Sequence, residues 1–574
     1  MISLPSDEKR LIPAALDLIE RCRASAGERA AYSRLLNALA ATGRSDGTRS
    51  LINMLDMHLM RTAAHLYSPV ELRFVVNFMR KYPKEFYDRA GVAAEVLTND
   101  FESSNTDMLF GHGVYDALKH GAMILKQHVQ QEGEDQEPDY HSRLIFPWQF
   151  AVYKENENDL NKQDAFVETS MLTLPEVWRR IYHMPDAEKL FRRIEANSKR
   201  GQSDDNTSFM HQVLSTSQIQ TGVTNNNTMP GGIVQLNNDP NYSIVGPIMD
   251  IDLVRFHELW VKGKKDYETI QIIEPDILIT KFKRGNLLVP GDMRSMLHPY
   301  TLIQPNVVSG YFWGETELAQ LIAPQGMLSD WADDIKRLFG VQVDKILAFI
   351  GDDGLSDETY AQFRGAGYRN MPPGADVKDI TPKFPAEAMP MLKLIMEIIN
   401  TVGGFPAIMQ GQGEQGVRAG SHANTLLKTG SPSLRDRSLL VERQVAQAAD
   451  TRLWLKQYKD PTKYWTNGES VETMNKTSFL LTDLPDDRRV SVDSHSSSPI
   501  FADDHQQLTA FGVKAGFIDG ETAIDDLPFP NKELKKQRLK TKQERQQQMM
   551  QNLLQQNPEL GQKMAQKQLM GGKR

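Results

Sequence analysis

Few residues in this chain are spaced for chemistry, and their surroundings decide most of the question. Gly411-Gln-Gly-Glu-Gln-Gly416 matches the G-x-G-x-x-G fingerprint of dinucleotide-binding loops. That fingerprint works only after a strand, at the opening of a helix, within a βαβ unit. Here a helical pattern precedes the glycines and Phe405-Pro406 breaks the approach, so the spacing predicts a loop and no nucleotide site. No G-x-x-x-x-G-K-[ST] run is present to cradle a triphosphate, so ATP hydrolysis would have to be supplied by a partner. Metal chemistry has no better footing. There is no H-E-x-x-H or Cys/His cluster, and His112 and His120 are too far apart for i, i+4 spacing on one helix face. Asp333-Asp334, Asp352-Asp353 and Asp486-Asp487 could hold a divalent ion, but adjacent carboxylates in helices and turns are ordinarily solvated. Cys22 is the single cysteine, which rules out an intrachain disulfide. No catalytic residue, cofactor or metal is therefore expected, and the chain is read as a non-enzyme. One charge cluster stands out: Lys535, Lys536, Arg538, Lys540 and Lys542 could meet packed DNA, or could simply keep a Gln-rich tail soluble.

The elements that must position such groups are those of a large chain. At 574 residues and 40% hydrophobic content it can build several packed layers. Its net charge of -8 argues against a surface that clamps nucleic acid along its length. No apolar run is long enough to cross a bilayer and no leader pattern opens the chain, so it is expected to be soluble and unexported.

Up to about Leu125 helical patterns alternate with Pro and Gly breaks; Leu51, Leu55, Leu59 and Ala63 are one example. From Ser142 to Tyr153 aromatic and β-favouring residues predict a strand or two, and Asn197 to Thr228 reads as a long polar loop. Strand signals resume at Gly232. Tyr267-Glu-Thr-Ile-Gln-Ile-Ile and Asp276-Ile-Leu-Ile-Thr-Lys-Phe then predict an antiparallel meander before Pro290. A helix is predicted from Gly314 to near Ile350, with Leu318, Leu321, Ile322, Leu328, Trp331, Ile335, Leu338 and Phe339 on one stripe. Short mixed elements follow, and a second helix runs from about Ala386 to Val402, with Met389, Leu392, Ile395, Met396 and Ile399 on its apolar side. Beyond the glycine-rich loop a helical pattern starts near Arg418, is kinked or restarted at Pro432 with Ser431 as its cap, and reaches about Tyr458. Two short helices around Gly516-Phe-Ile-Asp-Gly520 and the Gln-rich tail complete the chain.

That order of helix, small tip, helix, glycine-rich loop and long kinked helix resembles the portal proteins of tailed bacteriophages, in particular those of short-tailed phages. Asp116-Ala-Leu-Lys-His-Gly-Ala-Met-Ile-Leu-Lys126 is similar to the family's early helix that runs through a glycine into a strand. Ile145-Phe-Pro-Trp-Gln-Phe-Ala-Val-Tyr153 is similar to its following strand. His298-Pro-Tyr-Thr-Leu-Ile and Gly310-Tyr-Phe-Trp-Gly-Glu-Thr-Glu-Leu318 resemble the passage into the first stem helix, and Phe511-Gly-Val-Lys-Ala-Gly-Phe-Ile-Asp-Gly a pattern near portal C-termini. Together they cover most of the chain after about Asp107, and their order carries the resemblance.

The resemblance implies an α+β, mainly helical portal fold, with wing, stem, clip and crown around a central channel, assembled as a dodecameric ring. The wing would take residues 1–313, the stem helices 314–350 and 386–402, the clip 351–385 and the tunnel loop 403–417. The wing would resume over 418–502 with the long kinked helix, and the crown and tail would take 503–574. Such a ring would sit at one capsid vertex of the virion, among the major capsid and scaffolding proteins, after assembly in the host cytoplasm. It would dock the terminase large subunit and then the head-to-tail adaptor while double-stranded DNA passes through, with no membrane involved. Tyr360, Phe363, Arg364, Tyr368 and Arg369 become candidates for the clip contacts, because aromatic and Arg side chains dominate interfaces; their other reading is packing of a small subdomain. Gln412, Glu414, Gln415 and Arg418 become candidates to touch passing DNA without gripping it, or are merely solvated. Other head-to-tail structural proteins form the main alternative class, followed by a nucleotide-binding enzyme using the Gly411 to Gly416 loop.

Overall fold

The computed structural model describes residues 7–45, 48–69, 72–130, 138–200, 252–263, 267–274, 276–283, 298–343, 347–350, 376–379, 383–404, 432–460, 462–465, 478–485 and 487–492, with isolated positions in the first six residues and between 509 and 542. The polar loop after Arg200, the strand expected at Gly232, the helical start near Arg418, the Ser431 cap and the tail from 543 onward lie outside the described residues.

The fold is mixed α+β. The opening region is helical, as the periodicity predicts: α1 (Glu8–Cys22), α2 (Ala26–Thr42), α3 (Leu55–Leu66), α4 (Lys84–Ser103) and α5 (Thr106–His120), interrupted by the short strand β1 (Phe74–Phe78). Leu51 falls before α3 and is exposed, because Asn53 accepts a hydrogen bond from the backbone N–H of Leu55 and starts the helix there. From α5 the chain turns at Gly121 into β2 (Met123–Gln130), and β3 (Asp139–Ile145) and β10 (Tyr300–Ile303) flank β2 antiparallel.

The expected meander is part of a larger antiparallel sheet. Its strands are β4 (Phe150–Val152), β5 (Ala165–Thr173), β7 (Asp252–Lys262), β8 (Tyr267–Ile273) and β9 (Ile277–Lys283) in that order, and β6 (Lys199–Arg200) pairs with β7. Period-two patterning explains its two covered faces. Ala165, Val167, Leu259, Val261, Ile270 and Ile272 receive α1, while Phe150, Val152, Phe166, Trp260 and Tyr267 pack with Tyr300, Phe312 and Trp313 from the β10 side. Cys22, the last residue of α1, is 2% exposed in this core, and burial pushes its thiol up to about 12. At one end of the sheet, α6 (Leu174–Ile181) and α7 (Ala187–Asn197) cover Leu172, Val254, Phe256, Ile273 and Ile277.

The largest core joins α3, α4, α5, β1 and β2 to the middle of the chain. Through it runs α10 (Pro432–Lys459), with Leu434, Val441, Val445, Ala448, Ala449 and Leu453 fully or almost fully buried. Pro432 starts this helix, a position where the missing N–H costs nothing. Its far end meets the 3-10 turn Leu481–Asp483, and β13 (Arg488–Val492) pairs antiparallel with β1.

Two glycines explain why separate sequence motifs meet. Gly121 has φ 92° and a Cβ there would lie 2.7 Å from the Trp313 carbonyl oxygen. Gly314 has φ 68° and a Cβ there would lie 2.6 Å from the Asn306 carbonyl oxygen and 2.8 Å from that of Gly121. Only glycine fits such a mutual approach. The loop after Gly314 then closes α5: the Glu317 N–H donates to the Leu118 carbonyl at 2.8 Å, and the Thr316 hydroxyl to that of Lys119 at 2.6 Å.

This capping loop corrects the first long helix. It begins at Ile322, not Gly314, and spans α8 (Ile322–Val343), with Pro324 in its first turn. It also does not reach Ile350. Leu347–Ile350 forms β11, paired antiparallel with β12 (Asp376–Asp379), as befits its β-favouring side chains. The second helix, α9 (Ala388–Val402), starts close to where it is predicted.

Candidate functional site

The part of the molecule that its own core leaves incomplete is the pair α8 and α9. The two helices lie side by side in opposite directions: Phe339 meets Phe384 with ring centroids 4.8 Å apart, and the Trp331 indole N–H donates to the Ala388 carbonyl at 3.0 Å. Their other ends enter the main core through Leu321, Leu328, Ile395 and Ile399.

The base of the pair is fixed by polar groups that periodicity alone does not flag. The buried Gln325 side chain accepts from the Met54 N–H at 3.1 Å and donates to the Ile52 carbonyl at 2.7 Å, standing in for a peptide between α8 and the α2–α3 connection. Arg44 pairs with Asp333 at 2.6 Å and Asp330 at 3.3 Å, and Arg337 with Asp334 at 2.5 Å, so the Asp333-Asp334 pair serves as ion-pair partners on α8. Just before α8, Glu317 gathers Arg437 of α10 at 2.6 Å, the Asn306 amide at 2.9 Å and His58 of α3 at 3.2 Å. Burial pushes the Glu317 carboxyl up, but the hydrogen bond from His58, the Arg437 charge and the Asn306 amide outweigh it and hold the group at about 2.

The outer face of the pair is apolar and uncovered. On α9, Met391, Leu394, Ile398 and Val402 recur at i, i+3 and i+4 spacing and are 37 to 49% exposed, flanking the buried Ile395 and Ile399. Met389 of the predicted apolar side is exposed as well, and on α8 Met327 and Phe339 are 59% and 52% exposed. Lys393, Glu397, Asn400 and Thr401 share one polar side of α9, so its apolar sector is wider than the part its own core covers and the remainder faces solvent.

No family model matches this chain, and no curated protein matches it. Similar chains are found among solved structures. One of them is the neck of a native GTA particle computed with C12 symmetry, 12% identical, with a TM-score of 0.36 over 90% of this chain and 93% of that one. A likeness of that size carries no argument about this chain, so the functional reading rests on its own residues.

Of the residues singled out by sequence, Arg538 and Lys542 are helical and exposed, while Lys535, Lys536 and Lys540 lie outside the described residues. So do Tyr360, Phe363, Arg364, Tyr368 and Arg369, as well as Gln412, Glu414, Gln415, Arg418 and the Asp352-Asp353 pair. His112 is exposed on α5, and His120 is buried against the rings of Phe146 and Trp148, where burial and then Lys119 hold it neutral, well below the usual imidazole range. Among the described residues no group of three or more His, Cys, Asp or Glu could hold a metal ion, and no helix is long and apolar enough to cross a membrane.

Sequence reasoning missed a buried charge cluster between the two sheets. Lys126 lies 2.7 Å from Glu168 and 3.0 Å from Glu258, the Tyr300 hydroxyl is 2.9 Å from both carboxylates, the Trp260 indole donates to Glu258 at 3.0 Å, and Arg143 pairs with Glu168. Two carboxylates beside a lysine and a tyrosine are the raw material of acid–base catalysis. Here they neutralise each other within a closed aromatic layer, with Lys126, Glu168, Glu258 and Tyr300 all buried, so the cluster joins sheets. Its signal in the sequence is a lysine that directly follows the apolar start Met123-Ile-Leu of β2.

Proposed function

We propose that this chain is a portal protein of a phage-like particle, a structural subunit that assembles into a ring through which double-stranded DNA passes during packaging and ejection. The observation that carries the reading is the uncovered stripe of Met391, Leu394, Ile398 and Val402 on a helix pair that the rest of the subunit holds rigidly at its base. A monomer gains nothing by exposing it. A second copy of the same chain, laid against the stripe head to tail, buries it, and repetition of that contact by rotation closes a ring. The small strand pair of β11 and β12 at the far ends of α8 and α9 supports the order of stem, tip and stem.

In this reading the segment between β11 and β12 offers Tyr360, Phe363, Arg364, Tyr368 and Arg369 to the terminase motor and later to the tail adaptor. The loop with Gln412, Glu414, Gln415 and Arg418 faces the DNA, and a net charge of -8 keeps the conduit from gripping phosphates along its length. The test is native mass spectrometry with negative-stain imaging of the full chain. Rings of about a dozen copies with a central hole are expected, and Leu394→Glu with Ile398→Glu is expected to leave folded monomers. A wild-type monomer, or rings unaffected by the double substitution, would remove the reading.

A further inference from the structure

The helical cap on the large sheet carries a charge opposite to that of the molecule. From Thr173 to Arg200 seven Lys and Arg stand against four Asp and Glu, in a chain whose net charge is -8. The cap is built, not loose. The Thr173 N–H donates to Glu176 at 2.8 Å at the start of α6, Asp186 turns the chain at φ 64° into α7, and Val177, Ile181 and Ile194 are fully buried on the sheet. Two of its cations are engaged locally: Arg180 lies over the Phe256 ring at 4.5 Å and Arg193 pairs with Asp276. Arg179, Lys189 and Arg192 are exposed, and none is ion-paired among the described residues.

Between these cations stand two large side chains that the core does not claim. Trp178 on α6 is 39% exposed and Tyr182, which caps the end of α6 one turn on, is 64% exposed, and the Trp178 ring is held edge-on by Phe191 of α7 at 5.3 Å. An indole N–H and a phenol O–H held on a rigid helix among unpaired guanidinium and ammonium groups suit phosphate oxygens: the aromatics donate hydrogen bonds while the cations release counterions. We infer that the α6–α7 face is a contact surface for the phosphate backbone of duplex DNA, without sequence preference. The inference rests on the reading of this chain as a subunit that works on DNA. It adds a second, gripping surface on the subunit's sheet end, away from the α8–α9 pair.

The test is anisotropy of a labelled random-sequence duplex with the full chain, at salt between about 50 and 200 mM, with ring formation scored separately by native mass spectrometry. Three phosphate contacts from Arg179, Lys189 and Arg192 give a log affinity against log salt slope of about -3. Arg179→Glu with Arg192→Glu, both exposed, is expected to leave the melting temperature and the rings unchanged, to reduce the slope by about two and to weaken binding at least about tenfold. Trp178→Ala is expected to weaken binding with the slope unchanged. Rings that do not bind duplex would overturn this inference and leave the portal reading standing. Binding insensitive to the Arg179 and Arg192 reversals would assign the contact to another surface, the basic C-terminal cluster included. Binding of polyglutamate without binding of duplex would make the partner an acidic protein, and equally overturns it.

Discussion

The layer between the two sheets and the pair α8–α9 solve the same problem, an excess of surface that must leave water, in opposite ways. Between the sheets the aromatic and charged groups find their complements inside one subunit: Phe166, Trp260, Tyr267 and Tyr300 pack on one another, and Lys126 is answered by Glu168 and Glu258. Along α9 only one side is answered, and Met391, Leu394, Ile398 and Val402 wait in solvent. The sheet layer can therefore be judged from one chain, whereas the helix pair is half of an interface whose other half belongs to another molecule.

That contrast is open to measurement. The largest effect is expected at Lys126→Ala, which removes the buried cation between Glu168 and Glu258 and leaves Arg143 pairing with Glu168; chemical denaturation should register about 3–5 kcal/mol, and a loss under about 1 kcal/mol would mean water reaches the cluster. Next comes the inner side of α9, where Ile395→Ala empties a site in the main core and should cost about 2–5 kcal/mol. Glu317 follows. Its folded value of about 2 lies below the ordinary 4.5, so the ionised group stabilises the fold above about pH 4.5, and that contribution is lost as pH falls from about 4.5 towards about 2. On the order of 2–3 kcal/mol should disappear across this window and Glu317→Gln should flatten the profile, so parallel profiles for the two chains would assign the acid lability elsewhere. The smallest effect is expected one turn from Ile395, where Ile398→Ala should stay within about 0.5 kcal/mol in the monomer yet weaken ring assembly. If Ile398→Ala destabilised the monomer as Ile395→Ala does, the stripe would be part of the subunit's own core.

How much of this was legible depended on whether a pattern is local. The helices α3, α9 and α10 and the strands β3, β8 and β9 follow from spacing, because 3.6- and 2-residue periods report one buried face wherever it is buried. The start of α8 did not, although Leu318 and Leu321 continue its apolar stripe. Those residues are buried as a capping loop for α5, and nothing near Gly314 in sequence reveals that Leu118 and Lys119 need hydrogen-bond donors. The end of α8 failed for a related reason: Leu347-Ala-Phe-Ile is as apolar as a helix turn, and only its antiparallel partner at Asp376–Asp379 makes it a strand. The candidate stripe was half legible. Periodicity identified the inner side of α9 through Leu392, Ile395, Met396 and Ile399, while the outer residues are equally apolar and only burial separates the two.

Cys22 has a practical consequence. It is the chain's single thiol, buried between the end of α1 and the sheet and held protonated by burial. Alkylating reagents need a thiolate that solvent can reach, so the natural chain is silent to them. An Ile398→Cys chain would then carry one addressable sulfur per copy, placed on the stripe itself. A spin label attached there would convert neighbour spacing into a dipolar frequency, and the set of frequencies would count the copies around a closed circle without an image being taken.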